Sequence, residues 1–279
     1  MGRNFEADKM EGVNVAWSLH PESLLPQSAE ELAALVKEVG SETCTVLVGD
    51  GKHTSIQEIY PGLPDFINAL AASGVECYSV QLDLSLEQLI GEPDFLKLLH
   101  ACGVKEFSIS ELAKKGYFVR SRLTKSRTNL EKLQPLLEEN ELRLILPISG
   151  ESLLPSPSAA FHLIRGLSPL RFGVQIDPGG TLFEGFEAWD YTVAILMDYL
   201  ACITVRDNVL VRHPGAVDVN SKGWARRWST VEAGMTDWVD MMRQLRNIEF
   251  AGRIELRPMV SETADEIKSE FAYLVGLLD

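Results

Sequence analysis

The chain lacks any apolar run near the ~18 residues of a membrane-spanning helix, so it is expected to be no membrane protein. Cysteine is scarce: Cys44, Cys77, Cys102 and Cys202 stand singly among apolar neighbours. That excludes a disulfide-dense scaffold and paired-cysteine metal knots, and leaves reduced core thiols in a cytoplasmic protein as the expectation. Positive charge is also short, with 26 Lys and Arg against 40 Asp and Glu and a net charge of −14, which argues against nucleic acid as a partner. No Walker loop, nucleophile elbow, His-Glu-x-x-His helix or dinucleotide fingerprint occurs, and "AWSLHPESLLPQS" after the first strand pattern holds no glycine. Residues 1–11 are polar and acidic with no signal-peptide core, and are expected to form a flexible leader to one domain spanning 1–279.

What is present is a repeating alternation. Short β-branched, apolar patterns fall at Val13–Leu19, Cys44–Val48, Glu76–Leu82, Lys105–Ile109, Arg143–Ile148, Phe172–Ile176, Cys202–Val205 and Arg253–Leu256. Helical patterns follow at Ala29–Val39, Pro64–Ser73, Pro93–Cys102, Asn129–Glu139, Ser158–Gly166, Phe186–Leu200, Met235–Asn247 and Ala264–Leu278. Ser28 with Glu31, and Thr263 with Glu266, have capping-box spacing, and Pro135 is expected to interrupt and kink the fourth helix. Parallel neighbours require a crossover, so eight such units predict an α/β fold, a single closed (β/α)8 TIM barrel. Its chemistry belongs on the loops after each strand, which brings forward His20, Asp50, His53, Asp83, Ser110, Glu111, Glu151, Asp177, Arg206, Asp207, Glu255 and Arg257.

Three segments carry a resemblance: "VQIDPGG", "ITVRDN" and "AGMTDWVDMMRQLRNIEFAGRIELRP". They resemble the xylose-isomerase-like barrels, a superfamily of sugar and sugar-phosphate isomerases and epimerases that also holds the endonuclease IV type of repair enzyme. The resemblance implies one divalent cation held by a Glu, an Asp, a His and a Glu after strands five to eight. Asp177 and Glu255 match the second and fourth ligands. Pro147 stands in place of the first and Thr204 of the third, while Gly180 replaces a further family histidine. Proline offers no donor atom and a threonine hydroxyl is a poor ligand, so the expected cofactor is none, or a weakly held Mg²⁺ or Mn²⁺ (Zn²⁺ less so) on Asp177 and Glu255. His213 or Glu151 could stand in for a lost ligand. Five histidines, with His100 and His162 on helical patterns, are too few for a multi-zinc repair centre.

Positive charge is concentrated in two places. Lys114, Lys115, Arg120, Arg122, Lys125 and Arg127 follow the fourth strand pattern, and Arg206, Arg212, Lys222, Arg226 and Arg227 follow the seventh with Trp224 and Trp228. Both segments read as loops on the catalytic face, giving a basic rim suited to an anionic ligand. Loop lysines and arginines kept for solubility are the plain alternative. Glu255 and Asp177 are the candidate catalytic carboxylates. Arg206, Asp207, His213, Arg226, Arg227, Arg257 and Trp17 are the candidate substrate-binding residues. For Glu255, within an apolar strand, burial calls for a partner such as Arg257 or Arg206. For Asp177 the structural alternative is a turn in which its carboxylate accepts backbone N–H groups.

Two functions are expected from this pattern. One is an isomerase or epimerase of a sugar or sugar phosphate, working by carboxylate-mediated proton transfer. The alternative is a catalytically degenerate barrel that binds a small anionic or sugar ligand without the family's metal chemistry. Either would have a small-molecule partner, and a homo-oligomer is possible.

Overall fold

The computed structural model describes residues 15–24, 28–109, 112, 118–150, 152–184, 187–212, 223–259 and 262–278. The leader expected at 1–11, together with Ser110, Glu111, Lys114, Lys115, Glu151, His213 and Lys222, lies outside the described residues.

Eight parallel strands close a barrel. They are β1 (Ala16–Leu19), β2 (Thr43–Val48), β3 (Glu76–Leu82), β4 (Glu106–Ile109), β5 (Arg143–Pro147), β6 (Phe172–Ile176), β7 (Leu200–Val205) and β10 (Arg253–Leu256). Going round the barrel the order is β1-β10-β7-β6-β5-β4-β3-β2, so each strand lies beside its predecessor among the eight and β10 closes on β1. The single (β/α)8 barrel read from the alternation is the fold observed. Among the described residues, no helix is long and apolar enough to cross a membrane.

Helices α1 (Ala29–Glu38), α2 (Ile59–Ala72), α4 (Asp94–Ala101), α5 (Val119–Glu139), α6 (Pro157–Ile164), α8 (Trp189–Leu196), α9 (Trp238–Asn247) and α10 (Ala264–Leu278) form the outer ring. Their apolar stripes meet the outward residues of the strands, giving a shell core that includes Leu32, Val46, Val80, Phe107, Leu144, Phe172, Ile254 and Leu274. The Ser28–Glu31 box starts α1 as the sequence predicts.

Several elements depart from the sequence reading, among them α2, which begins at Ile59 with Pro64 inside it rather than at its start. α5 begins ten residues early, and Arg120, Arg122, Lys125 and Arg127 ride on it rather than on a loop. Lys125 pairs with Glu87, while Arg127 pairs with Glu131 and donates to the carbonyls of Leu163 and Arg165. Lys125 and Arg127 of the first basic cluster therefore serve helix packing. α5 also runs unbroken through Pro135, which lies on an exposed turn where water can take the carbonyl that proline leaves unpaired. Two short helices, α3 (Leu86–Gly91) and α7 (Pro178–Glu184), sit in loops after β3 and β6. The segment after β7 is an antiparallel hairpin, β8 (Asp207–Arg212) with β9 (Trp224–Ser229), rather than a bare loop.

Candidate functional site

Strand residues alternate between the helices and the barrel lumen. In most barrels of this kind the lumen is filled by branched apolar side chains. Here its inward positions include Ser18, Thr45, Ser79, Glu106, Gln175, Thr204, Arg253 and Glu255, six of them 0–2 % exposed with Gln175 at 8 %. The lumen is a hydrogen-bonded polar network.

Glu255 is its centre. The Thr45 hydroxyl donates to Oε1 at 2.6 Å, Gln175 Nε2 donates to Oε2 at 2.8 Å, and the Arg253 guanidinium forms an ion pair with Oε1. Thr45 in turn accepts from Arg253 Nη1 at 3.0 Å, and Ser79 Oγ lies 3.1 Å from its hydroxyl. Burial opposes charge on Glu255, but Arg253, His20 and the two neutral donors together hold its carboxyl below the ordinary value. The partner is thus Arg253, two residues earlier on the same lumen-facing row, and not Arg257 or Arg206 as the sequence suggested.

Asp177 has a different environment. It caps α7: Oδ1 accepts from Gly180 N–H at 2.9 Å, with Pro178 at the first helical position. Oδ2 accepts from Arg206 Nε at 2.6 Å and forms an ion pair with the same guanidinium. A Cβ on Gly180 would lie 2.8 Å from Asp177 Oδ2, so the glycine, where the resemblance implies a histidine, lets the carboxylate fold onto its own turn.

These contacts test the metal expectation on donor chemistry. Glu255 and Asp177 each hold a guanidinium. Gln175 Nε2 donates to Thr204 Oγ1 at 2.6 Å as well as to Glu255, and Pro147 brings no donor. Among the described residues, no group of three or more His, Cys, Asp or Glu side chains is arranged so that it could hold a metal ion. The residues do not fit the divalent cation that the resemblance implies.

The other candidates separate. Arg206 stacks on Trp228, 4.5 Å from the ring centroid, and Arg226 stacks on the same ring at 4.4 Å. Arg226 and Arg227 are consecutive on β9, so they point to opposite faces of the hairpin, and it is Arg226 that shares Trp228's face. Asp207 is fully buried and structural. It accepts from the backbone of Asn208, Met235 and Thr236 and from Trp238 Nε1 at 2.8 Å. Burial raises its pKa, against the pull of those donors. The "AGMTDW" motif is therefore a cage for a buried carboxylate, and a Cβ on Gly234 would lie 2.0 Å from Asp207 Cγ. Trp17 does not line the lumen, because Ser18 takes that direction on β1; its ring packs edge-on against Phe271 of α10 at 4.7 Å.

A cleft of about 200 Å³ opens beside β2 and β3, lined by Glu22, Leu47, Val48, Lys52, Gln81 and Asp83. Arg257 forms an ion pair with Glu22, and Lys52 Nζ lies 3.8 Å from the same carboxylate. Beneath them His20, 2 % exposed, bonds through Nε2 to Gln81 Oε1 at 2.8 Å. Burial first, with Arg257 and Arg253 adding to it, lowers the His20 pKa to about 4 despite Glu255, so the ring is neutral at pH 7. Gln81, Lys52, Gln175 and Arg253 were not singled out from the sequence. For Gln81, Gln175 and Arg253 the signal was there: in "ECYSVQL", "FGVQI" and "RIEL", polar residues interrupt apolar strands.

No family model and no curated protein matches the chain. Solved structures do match. D-psicose 3-epimerase from Clostridium cellulolyticum H10, determined with D-tagatose, superposes with a TM-score of 0.69 at 11 % identity, covering 95 % of this chain and 100 % of the other. A xylose isomerase domain-containing protein from Salmonella typhimurium LT2 gives 0.69 at 17 % identity, over 95 % and 97 %. A xylose isomerase-like TIM barrel protein from Mycobacterium smegmatis, in complex with magnesium, gives 0.68 at 12 %, over 100 % and 98 %. At such identities the likeness is one of fold alone, the closed (β/α)8 barrel.

Proposed function

We propose that this protein is a xylose-isomerase-like barrel that binds a small sugar or anionic sugar ligand at the C-terminal mouth, without the family's metal chemistry. One observation carries the reading: both carboxylates that would hold the cation, Glu255 and Asp177, are neutralised by guanidiniums of this chain, Arg253 and Arg206. The same contacts weigh against proton transfer by Glu255. A general base near neutral pH needs a raised pKa and reach to the substrate, whereas Glu255 is 1 % exposed, has both oxygens engaged and a lowered pKa. A polar mouth with Arg206, Arg226 and Trp228 on one side and the Glu22–Asp83 cleft on the other supports binding of a small polar molecule.

Thermal shift with neutral sugars, hexose phosphates, Mn²⁺, Mg²⁺ and Zn²⁺, each with and without EDTA, tests it. The expected result is stabilisation by at least one sugar or sugar phosphate that EDTA leaves unchanged. A metal that stabilises the wild type but not Glu255→Gln or Asp177→Asn would overturn the proposal in favour of the metal-dependent isomerase.

A further inference from the structure

We propose that Glu262 and Glu270 share one proton and form with it a strap that ties the segment after β9 to α10 and to the turn after β10, and that loss of the proton releases that segment. Glu270 stands on α10, and its Oε1 accepts from Val231 N–H at 2.7 Å. Glu262 lies in the turn that leads into α10. Its Oε2 accepts from Met259 N–H, and its own N–H donates to the Met259 carbonyl at 3.0 Å. The Glu262 and Glu270 side chains are hydrogen-bonded to each other. Two carboxylates cannot make such a bond, since neither has a hydrogen to donate and their charges repel; one of the pair must be protonated.

The surroundings favour keeping that proton. Glu266 of α10 acts on Glu262, and Asp207 of β8 acts on Glu270, so the further charges felt by the pair are negative too. From α9, Arg243 is engaged by Asp240, and Arg246 donates to the Leu277 carbonyl near the far end of α10. Asp265 and Lys268 of α10, and Glu232 beside Val231, are exposed. Burial first, then Glu262, pushes the Glu270 carboxyl up to about 7, and burial raises Glu262 as well. A carboxyl raised above its unfolded value stabilises below that value, so the strap is closed below about pH 7 and opens above it. Glu270 is only half-buried, and once ionised it relieves the repulsion by turning into water. Val231, 2 % exposed, then loses the acceptor for its N–H. The segment that Val231 opens continues through Met235 and Thr236, whose N–H groups hold Asp207, next in the chain to Arg206. The proton thereby regulates the order of the mouth on its Arg206 side, whatever ligand the mouth takes.

Two measurements on the full chain test the proposal: carboxyl ¹³C NMR of glutamate-labelled protein, and amide hydrogen exchange at Val231 and the residues that follow it. Wild type and Glu270→Gln are compared at the same pH, so that the intrinsic pH dependence of exchange cancels. The glutamine amide donates to Glu262 and accepts from Val231 at any pH, which keeps the strap closed. Glu270 is expected to titrate near 7 in the wild type and lower in Glu262→Gln, where the like charge is gone. At about pH 6 the two proteins should exchange alike. At about pH 8, where roughly nine in ten molecules lack the proton, the wild type should exchange Val231 about tenfold faster than Glu270→Gln. Should Glu270→Gln fail to fold, Glu262→Gln serves in its place, because its amide donates to the ionised Glu270 and holds it on Val231. Equal exchange at both pH values, with Glu270 titrating near 7, overturns the strap. Titration of Glu270 below about 5 overturns the shared proton and the strap together.

Discussion

Replacing Arg253 with methionine removes the guanidinium from Glu255 while keeping much of the aliphatic volume. The two side chains are 2 % and 1 % exposed, so solvent does not screen the charge that is left. Breaking a buried pair from one side typically costs about 3–5 kcal/mol, because the survivor is stranded in a medium that solvates it poorly. Thr45 and Gln175 still donate to Glu255, which places the expected loss near the lower end, about 3 kcal/mol. At roughly 2–4 °C per kcal/mol for a chain of this size, the melting midpoint falls by about 6–12 °C. Adding Glu255→Gln removes the stranded charge, and the double variant is expected to return to within about 1–2 kcal/mol of the wild type. Urea unfolding of the four chains of the cycle measures all three differences. A loss below about 1 kcal/mol in Arg253→Met, or a double variant less stable than either single one, would refute the view that this ion pair holds the charge of the lumen.

Stability should also depend on pH in two opposed ways. The His20 pKa lies near 4 in the fold and near 6.5 when unfolded, so its contribution is present above about pH 6.5 and lost as pH falls towards 4. The full loss is about 3 kcal/mol, and His53, also lowered to about 4 by burial and then by Lys52, adds in the same direction. Denaturation curves over that range should show the decline, with a shallower slope in His20→Leu; equal slopes would count against a buried neutral His20. Glu270 acts in reverse: burial first, then the neighbouring Glu262, pushes its carboxyl up to about 7, so its stabilising effect is lost as pH rises through that value. Glu270→Gln should accordingly be more stable than the wild type above neutrality, and no gain there would exclude the protonated carboxyl. Gly234→Ala should cost about 2–3 kcal/mol in thermal or urea unfolding, because its Cβ would meet Asp207 Cγ at 2.0 Å and break the carboxylate's cage. A near-neutral result would mean that the cage yields without loss.

The barrel was legible because each unit carries its own local signal. β-branched runs, capped amphipathic helices and the spacing between them are properties of ten to twenty consecutive residues. The same locality made α5 too short in the sequence reading, since Val119–Thr128 is rich in charge and its helical order is supported by Glu87, Leu163 and Arg165, distant in the chain. The β8–β9 hairpin was missed for a similar reason: its face is made of cross-strand neighbours such as Asn208 with Trp228.

The site divides along the same line. From the residue order alone it followed that Pro147 offers a metal no donor and Thr204 only a poor one, and that Asp177 and Glu255 stand at the ends of their strands, because those statements concern residue type and position. Which charge answers Glu255 did not follow. Arg253 lies on the same row, but Thr45 and Gln175 arrive from β2 and β6, brought together only when the sheet closes. The same closure turns Trp17 towards α10, sets Asp177 against Arg206, and places His20 behind Gln81. Chemical identity is carried by each residue singly, and period-two alternation says which face it takes. Partnership across a barrel depends on register between strands tens or hundreds of residues apart, and the tertiary structure alone decides it.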